Sequence, residues 1–140
     1  MSSILNFCKY LKEKDYPQDS ILLKEGERLG ILYILKHGSI EIQKNGLQIT
    51  TVSKPGAIFG EMSVLLDIPH TATVKTAAES KLYTIENANE FLKTHKEITY
   101  HLATMLAERL QIATNYLIDL KKQLEHNVDS VDVVFENLIK

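Results

Sequence analysis

Residues 59–74 read Phe59-Gly60-Glu61-Met62-Ser63-Val64-Leu65-Leu66-Asp67-Ile68-Pro69-His70-Thr71-Ala72-Thr73-Val74, and their reading decides the fold. The stretch follows a Pro55-Gly56 turn and runs into a β-branched segment, so it interrupts a series of strands. Gly60, lacking a Cβ, permits close backbone approach, and Glu61 to Leu66 suit a single helical turn. Amides exposed at a helix start favour an anion. A carboxylate there is favoured by the helix dipole and can accept hydrogen bonds from sugar hydroxyls. A Gly-Glu pair opening a helix does not by itself specify a ligand, so the surrounding pattern has to carry the argument.

On both sides of this stretch, short apolar runs are closed by turn chemistry. Ile21–Leu23 precede Glu25-Gly26, Ile31–Leu35 precede His37-Gly38, and Ser39–Gln43 precede Asn45-Gly46. Leu47–Val52 precede Lys54-Pro55-Gly56, and Thr71–Thr76 and Lys81–Ile85 follow the interruption. Asn45-Gly46 predicts a type I′ hairpin, which needs positive φ at both central residues. Pro55-Gly56 predicts a type II turn. Such spacing predicts a closed sandwich or roll.

Helical patterns flank the strands. Ile4, Phe7, Cys8 and Leu11 predict a helix over residues 3–14, with Ser3 as its N-cap. Asn87…Glu90 and Thr94…Glu97 have capping-box spacing and mark two consecutive helix starts. The second would run from about His95 to Glu125, about 45 Å. Leu106, Leu110, Ala113, Leu117, Leu120 and Leu124 alternate four- and three-residue steps along it. That is a coiled-coil seam, so its distal half is expected to form a homodimer; packing on the chain's own roll is the alternative. Val131, Val134, Phe135 and Leu138 suggest a last short helix. The expected division is a roll with its N-terminal helix over 1–95 and a helical extension over 96–140.

Composition narrows the function. Of 140 residues, 44% are hydrophobic and 24% charged, in keeping with a globular chain. The formal net charge is −2, and only Arg28 and Arg109 of the 16 basic residues are arginine, so no nucleic-acid-binding stripe is present. Cys8 is the only cysteine, and its apolar neighbours make it a buried core thiol. No signal peptide or membrane span is read, and a cytoplasmic location is expected. His37 and His70 are the histidines of the strand-rich zone, without a His-x-His pair, so no metal site is expected. No nucleophile elbow, P-loop or paired catalytic carboxylates occur, so the chain is not expected to be an enzyme.

The 59–74 stretch resembles the phosphate-binding cassette of cyclic nucleotide-binding domains, whose pattern is F-G-E-[LM]-[AS]-L, a spacer, then P-R-[AST]-A-[TW]-V. Phe59 to Ser63 match its opening, and Pro69, Ala72, Thr73 and Val74 match its close. Glu25-Gly26, Tyr33-Ile34-Leu35 with Gly38, Pro55-Gly56 and the closing helices extend the resemblance to residues 16–125. It implies an α+β, mainly β fold: a double-stranded β-helix, or jelly roll, with an N-terminal helix and a long C-terminal helix. It also implies that Glu61 binds the ribose 2′-hydroxyl, and that the amides of Gly60, Glu61, Met62 and Ser63 help hold the cyclic phosphate. Thr71 is implied as a phosphate contact. Arg109 to Thr114 resemble the purine-facing helix of catabolite activator protein-like members, with Thr114 keeping one hydroxyl and Ala113 losing another.

One departure stands out. The family's arginine is His70 here, and a histidine lacks the permanent charge and bidentate fork. Loss of such a pair costs about 2–5 kcal/mol. His70 is nevertheless the residue placed to meet the phosphate. The expected function is a signal-transduction sensor binding cyclic AMP or cyclic GMP weakly, with no cofactor. The alternative is a degenerate roll serving as a dimerising interaction module. A helix-turn-helix often follows such a roll, but none is read before Lys140, so no direct DNA binding and no membrane contact are expected.

Overall fold

The structure, a computed structural model, describes residues 3–124 and 128–139. Eight strands are present among them: β1 (Lys12–Tyr16), β2 (Ile21–Leu23), β3 (Leu32–His37), β4 (Ile40–Lys44), β5 (Leu47–Val52), β6 (Ile58–Phe59), β7 (Thr73–Thr76) and β8 (Ser80–Ile85). They pair antiparallel in two four-stranded sheets, ordered β1-β8-β3-β6 and β2-β7-β4-β5. This is the expected β-roll. Four α-helices accompany it: α1 (Glu61–Leu66), α2 (Ala88–Thr94), α3 (Lys96–Gln123) and α4 (Val128–Ile139). The chain divides into two compact units, one ending at Thr99 and one beginning at Tyr100.

The predicted turns form for the predicted reasons. Asn45 and Gly46 both take positive φ, 53° and 78°, and join β4 to β5. Gly56 takes φ 91°, and the Ala57 amide donates to the Lys54 carbonyl at 3.1 Å, closing the Pro55-Gly56 turn. The core between the sheets contains Leu22, Leu23, Tyr33, Leu35, Ile40, Ala57, Phe59, Val74 and Leu82. Tyr33 sits edge-on to Tyr16, ring centroids 6.2 Å apart. Burial beside Tyr16 pushes its hydroxyl pKa up to about 12.

The N-terminal expectation needs correction. Residues Ser3–Cys8 form only a 3-10 turn, and Lys12–Tyr16 are a strand rather than the end of a helix. Only part of the apolar pattern faces the core: Ile4 and Cys8 are fully buried, whereas Leu11 is half-buried and Phe7 exposed. Burial raises the Cys8 thiol pKa to about 11, fitting a core thiol. The charged run Lys12-Glu13-Lys14-Asp15 has no strand-like alternation of its own. It is extended because it registers along β8, where Lys81 reaches Glu13 at 3.7 Å and Asp15 at 3.6 Å.

Neither capping box forms as expected. Asn87 does precede α2, but in the left-handed region at φ 49° and without a side-chain cap bond. The Gly30 carbonyl instead receives the Ala88 amide at 3.0 Å. Thr94 ends α2, its hydroxyl bonding back to the Phe91 carbonyl at 3.1 Å. In α3, Leu106, Leu117 and Leu120 are half-buried, whereas Leu110, Ile112 and Tyr116 are exposed, as is Leu124 just after the helix. Glu125, the expected end of this helix, lies outside the described residues. Lys121 of α3 bonds Asp132 of α4, and its ammonium lies 5.7 Å from the Phe135 ring centroid. No helix among the described residues is long and apolar enough to cross a membrane.

Candidate functional site

The cassette begins where β6 ends. Gly60 adopts φ 96°, a left-handed conformation that turns the chain sharply into α1. A Cβ at Gly60 would stand 2.6 Å from the Ile31 carbonyl oxygen, so glycine is required by space as well as by φ. The first helical bond runs from the Val64 amide to the Gly60 carbonyl at 3.2 Å. As at any helix start, the preceding amides have no acceptor within the helix. Glu61 is buried at 8% exposure, unusual for a carboxylate one residue after a turn. Met62, Leu65 and Leu66 are exposed.

Ser63 is buried and closes the far end of α1. Its hydroxyl donates to the Ile68 carbonyl at 2.5 Å, and the Ile68 amide donates to the Ser63 carbonyl at 3.2 Å. Its side chain is thus occupied in shaping the loop. Asp67 follows α1 in the left-handed region, φ 55°. Arg28 donates from Nη1 to both the Asp67 carbonyl at 2.9 Å and its carboxylate at 2.7 Å.

His70 is 4% exposed, and its Nε2 is buried with no hydrogen-bond partner among the described residues. Its backbone is held on both sides by the loop after β2: the His70 amide donates to the Glu27 carbonyl at 2.7 Å, and the Gly26 amide to the His70 carbonyl at 2.9 Å. Burial pushes the imidazole pKa down, partly offset by the Glu27 carboxylate. The group is therefore a neutral, enclosed imidazole at pH 7, not a cation presented to a ligand. The folded state binds the proton less well than the unfolded chain, so the contribution is complete above the unfolded pKa, about 6.5. It is lost as pH falls below that value toward the lower folded pKa. In urea titrations from pH 7.5 to 5 the wild type is expected to lose more stability than His70→Gln; equal losses would refute the assignment.

Thr71 is half-buried, and its carbonyl accepts Lys44 Nζ at 2.7 Å. Thr73 Oγ1 accepts the Glu25 amide at 3.0 Å, and the Glu25 carboxylate in turn accepts the Asn45 amide at 3.0 Å. Gly60, Glu61, Met62 and Ser63 thus open α1, whereas His70 and Thr71 lie in the segment after it, which is pinned to the loop after β2 and to Lys44 of β4. Thr114 is half-buried on α3, in the second compact unit. Arg28, Lys44 and Glu25 were not singled out as site residues in the sequence. Their roles come from loop contacts across 20 or more positions, and the scarcity of arginine was the one available signal. Among the described residues no cluster of His, Cys, Asp and Glu could hold a metal ion.

Residues 13–96 match the family model for the cyclic nucleotide-binding domain. The chain is 28% identical over 125 residues to a CRP-like cAMP-activated global transcriptional regulator of Mycobacterium tuberculosis. The alignment covers 85% of this chain and 56% of the relative, so the chain spans about half of that relative's length. Among solved structures, the Thermus thermophilus catabolite activator protein aligns at TM-score 0.68 with 22% identity, covering 84% of this chain and 58% of that one. The cAMP-bound PfPKA-R (141–441) aligns at TM-score 0.60 with 27% identity, covering 79% and 37%.

Proposed function

The chain belongs to the cyclic nucleotide-binding domain family, and from that premise we propose that it is a cytoplasmic, non-catalytic sensor that takes a nucleotide-like ligand at the 59–74 cassette. The observation that carries the reading is Glu61, a buried carboxylate fixed behind the left-handed Gly60. A carboxylate so placed can accept two hydroxyl hydrogen bonds from a ribose. Cyclic AMP or cyclic GMP binds weakly in this reading, because His70 supplies no charge-assisted partner to the phosphate. A dissociation constant on the order of hundreds of micromolar follows for a site that would otherwise be micromolar. Glu61→Ala is expected to weaken cyclic nucleotide binding about tenfold or more in calorimetric titration. An unchanged titration in that variant would refute the assignment of Glu61.

The reading includes a homodimer through α3. What supports it is the apolar seam, with Leu110 at 46% and Leu124 at 49% exposure within the protomer. A dimer by sedimentation is expected, and Leu110→Glu with Leu117→Glu should return a monomer; a monomeric wild type at high concentration would end the proposal. The same seam favours the second reading, a dimerising module without a ligand. The formal net charge of −2 supports a role without nucleic-acid contact by these residues.

A further inference from the structure

We infer that α3 and α4 together form one face of a four-helix dimer, whose partner is a second copy of this chain. The inference rests on the homodimer reading above; what it adds is that α4 belongs to the interface. Lys121 of α3 bonds Asp132, and its ammonium lies 5.7 Å from the Phe135 ring centroid, so α4 lies beside the end of α3. Four residues, 124–127, separate the two helices, which makes them an antiparallel helical hairpin. Thr114, Leu117 and Lys121 on α3, and Asp132, Phe135 and Leu138 on α4, are half-buried in keeping with that pairing.

A two-stranded coiled coil needs both flanks of its seam for the partner helix. Thr114 and Lys121 make one flank of the Leu110–Leu124 seam, and α4 already lies against it. Tyr116, on the other flank, is 63% exposed, so a partner approaches from that side. Each helical residue is turned about 100° from the one before it. In an antiparallel hairpin, residues that immediately precede the facing ones therefore fall on the same side of both helices. Alongside α4 that side carries Ala113, Tyr116 and Leu120 of α3, then Leu124 one turn on, and Val134 of α4. Tyr116, Leu124 and Val134 are exposed within the protomer. Lys122 and Glu136 follow facing residues and fall on the opposite side. The apolar face thus continues the α3 seam onto α4, and two such faces meet without opposed like charges. Burial of these side chains is the driving force for the second copy.

Sedimentation equilibrium of the full chain, with matched substitutions at neighbouring positions of α4, tests this. Val134→Glu is expected to raise the dimer dissociation constant about tenfold or more, since it places a charge in the buried face. Val133→Glu makes the same change at a residue that is more exposed, 60% against 41%, and lies on the side of α4 away from α3. It should leave the constant unchanged. Val134→Ala and Val133→Ala repeat the comparison without disfavouring the helix, because alanine has the highest helix propensity. A severalfold weakening is expected at Val134 alone. A wild-type dimer that responds equally at the two positions, or at neither, overturns the inference and leaves the homodimer reading standing. A wild type that stays monomeric at high concentration removes the reading and the inference together.

Discussion

Gly60→Ala is expected to destabilise the protein by about 2–4 kcal/mol and to abolish the ligand response. Two costs combine. An alanine at φ 96° is held in a region that L residues rarely occupy, about 1–3 kcal/mol. Its methyl would also stand 2.6 Å from the Ile31 carbonyl oxygen and 3.2 Å from Leu23 Cδ1. The leucine can turn aside, but the carbonyl belongs to the backbone leading into β3 and cannot. Relief requires moving α1, and with it Glu61, which is why the functional loss exceeds the stability loss. Gly46→Ala is the control, since it shares a positive φ of 78° but meets nothing within 4 Å. It should cost only about 1 kcal/mol and leave the site intact. Urea unfolding of both variants, with ligand titration of each, checks the pair. Equal effects at the two glycines would show that close approach to Ile31 does not matter.

Leu82→Ala is expected to cost about 2–5 kcal/mol, the range for a fully buried leucine whose cavity cannot collapse. Leu82 lies at the centre of β8, in register with Lys14 of β1 on one side and Leu35 of β3 on the other. It is 0% exposed and belongs to the core shared by the two sheets. Strands pinned on both edges leave little freedom to close a void. Leu47→Ala, at 69% exposure in the β4–β5 hairpin, should cost well under 1 kcal/mol. A loss below about 1 kcal/mol at Leu82 would mean that the core relaxes far more than its strand pairing allows.

The two variants locate different kinds of control. Leu82 carries stability for the whole roll, whereas Gly60 connects that stability to the placement of one carboxylate. A third group, His70, is buried at the rear of the cassette. It is enclosed by the loop after β2, whose Gly26 and Glu27 hold its backbone. The protonation of its ring is consequently governed by packing from a loop distant in sequence.

Local chemistry alone made much of this legible. Asn45-Gly46 and Pro55-Gly56 wrote their turns because few other residues accept those dihedrals, and the short apolar runs that those turns close became β4 and β5. The motif from Phe59 to Val74 marked the family and pointed to Glu61 and His70. Other features could be settled only by tertiary contact. The charged run of β1 becomes a strand because β8 offers it both hydrogen bonds and Lys81, neither of which lies nearby in sequence. Two-residue β6 is too short to show any period and exists through its pairing with Tyr33 and Ile34. Whether His70 would be a cation or an enclosed neutral ring depended on how completely distant loops cover it, because desolvation is a property of the surroundings and not of the residue.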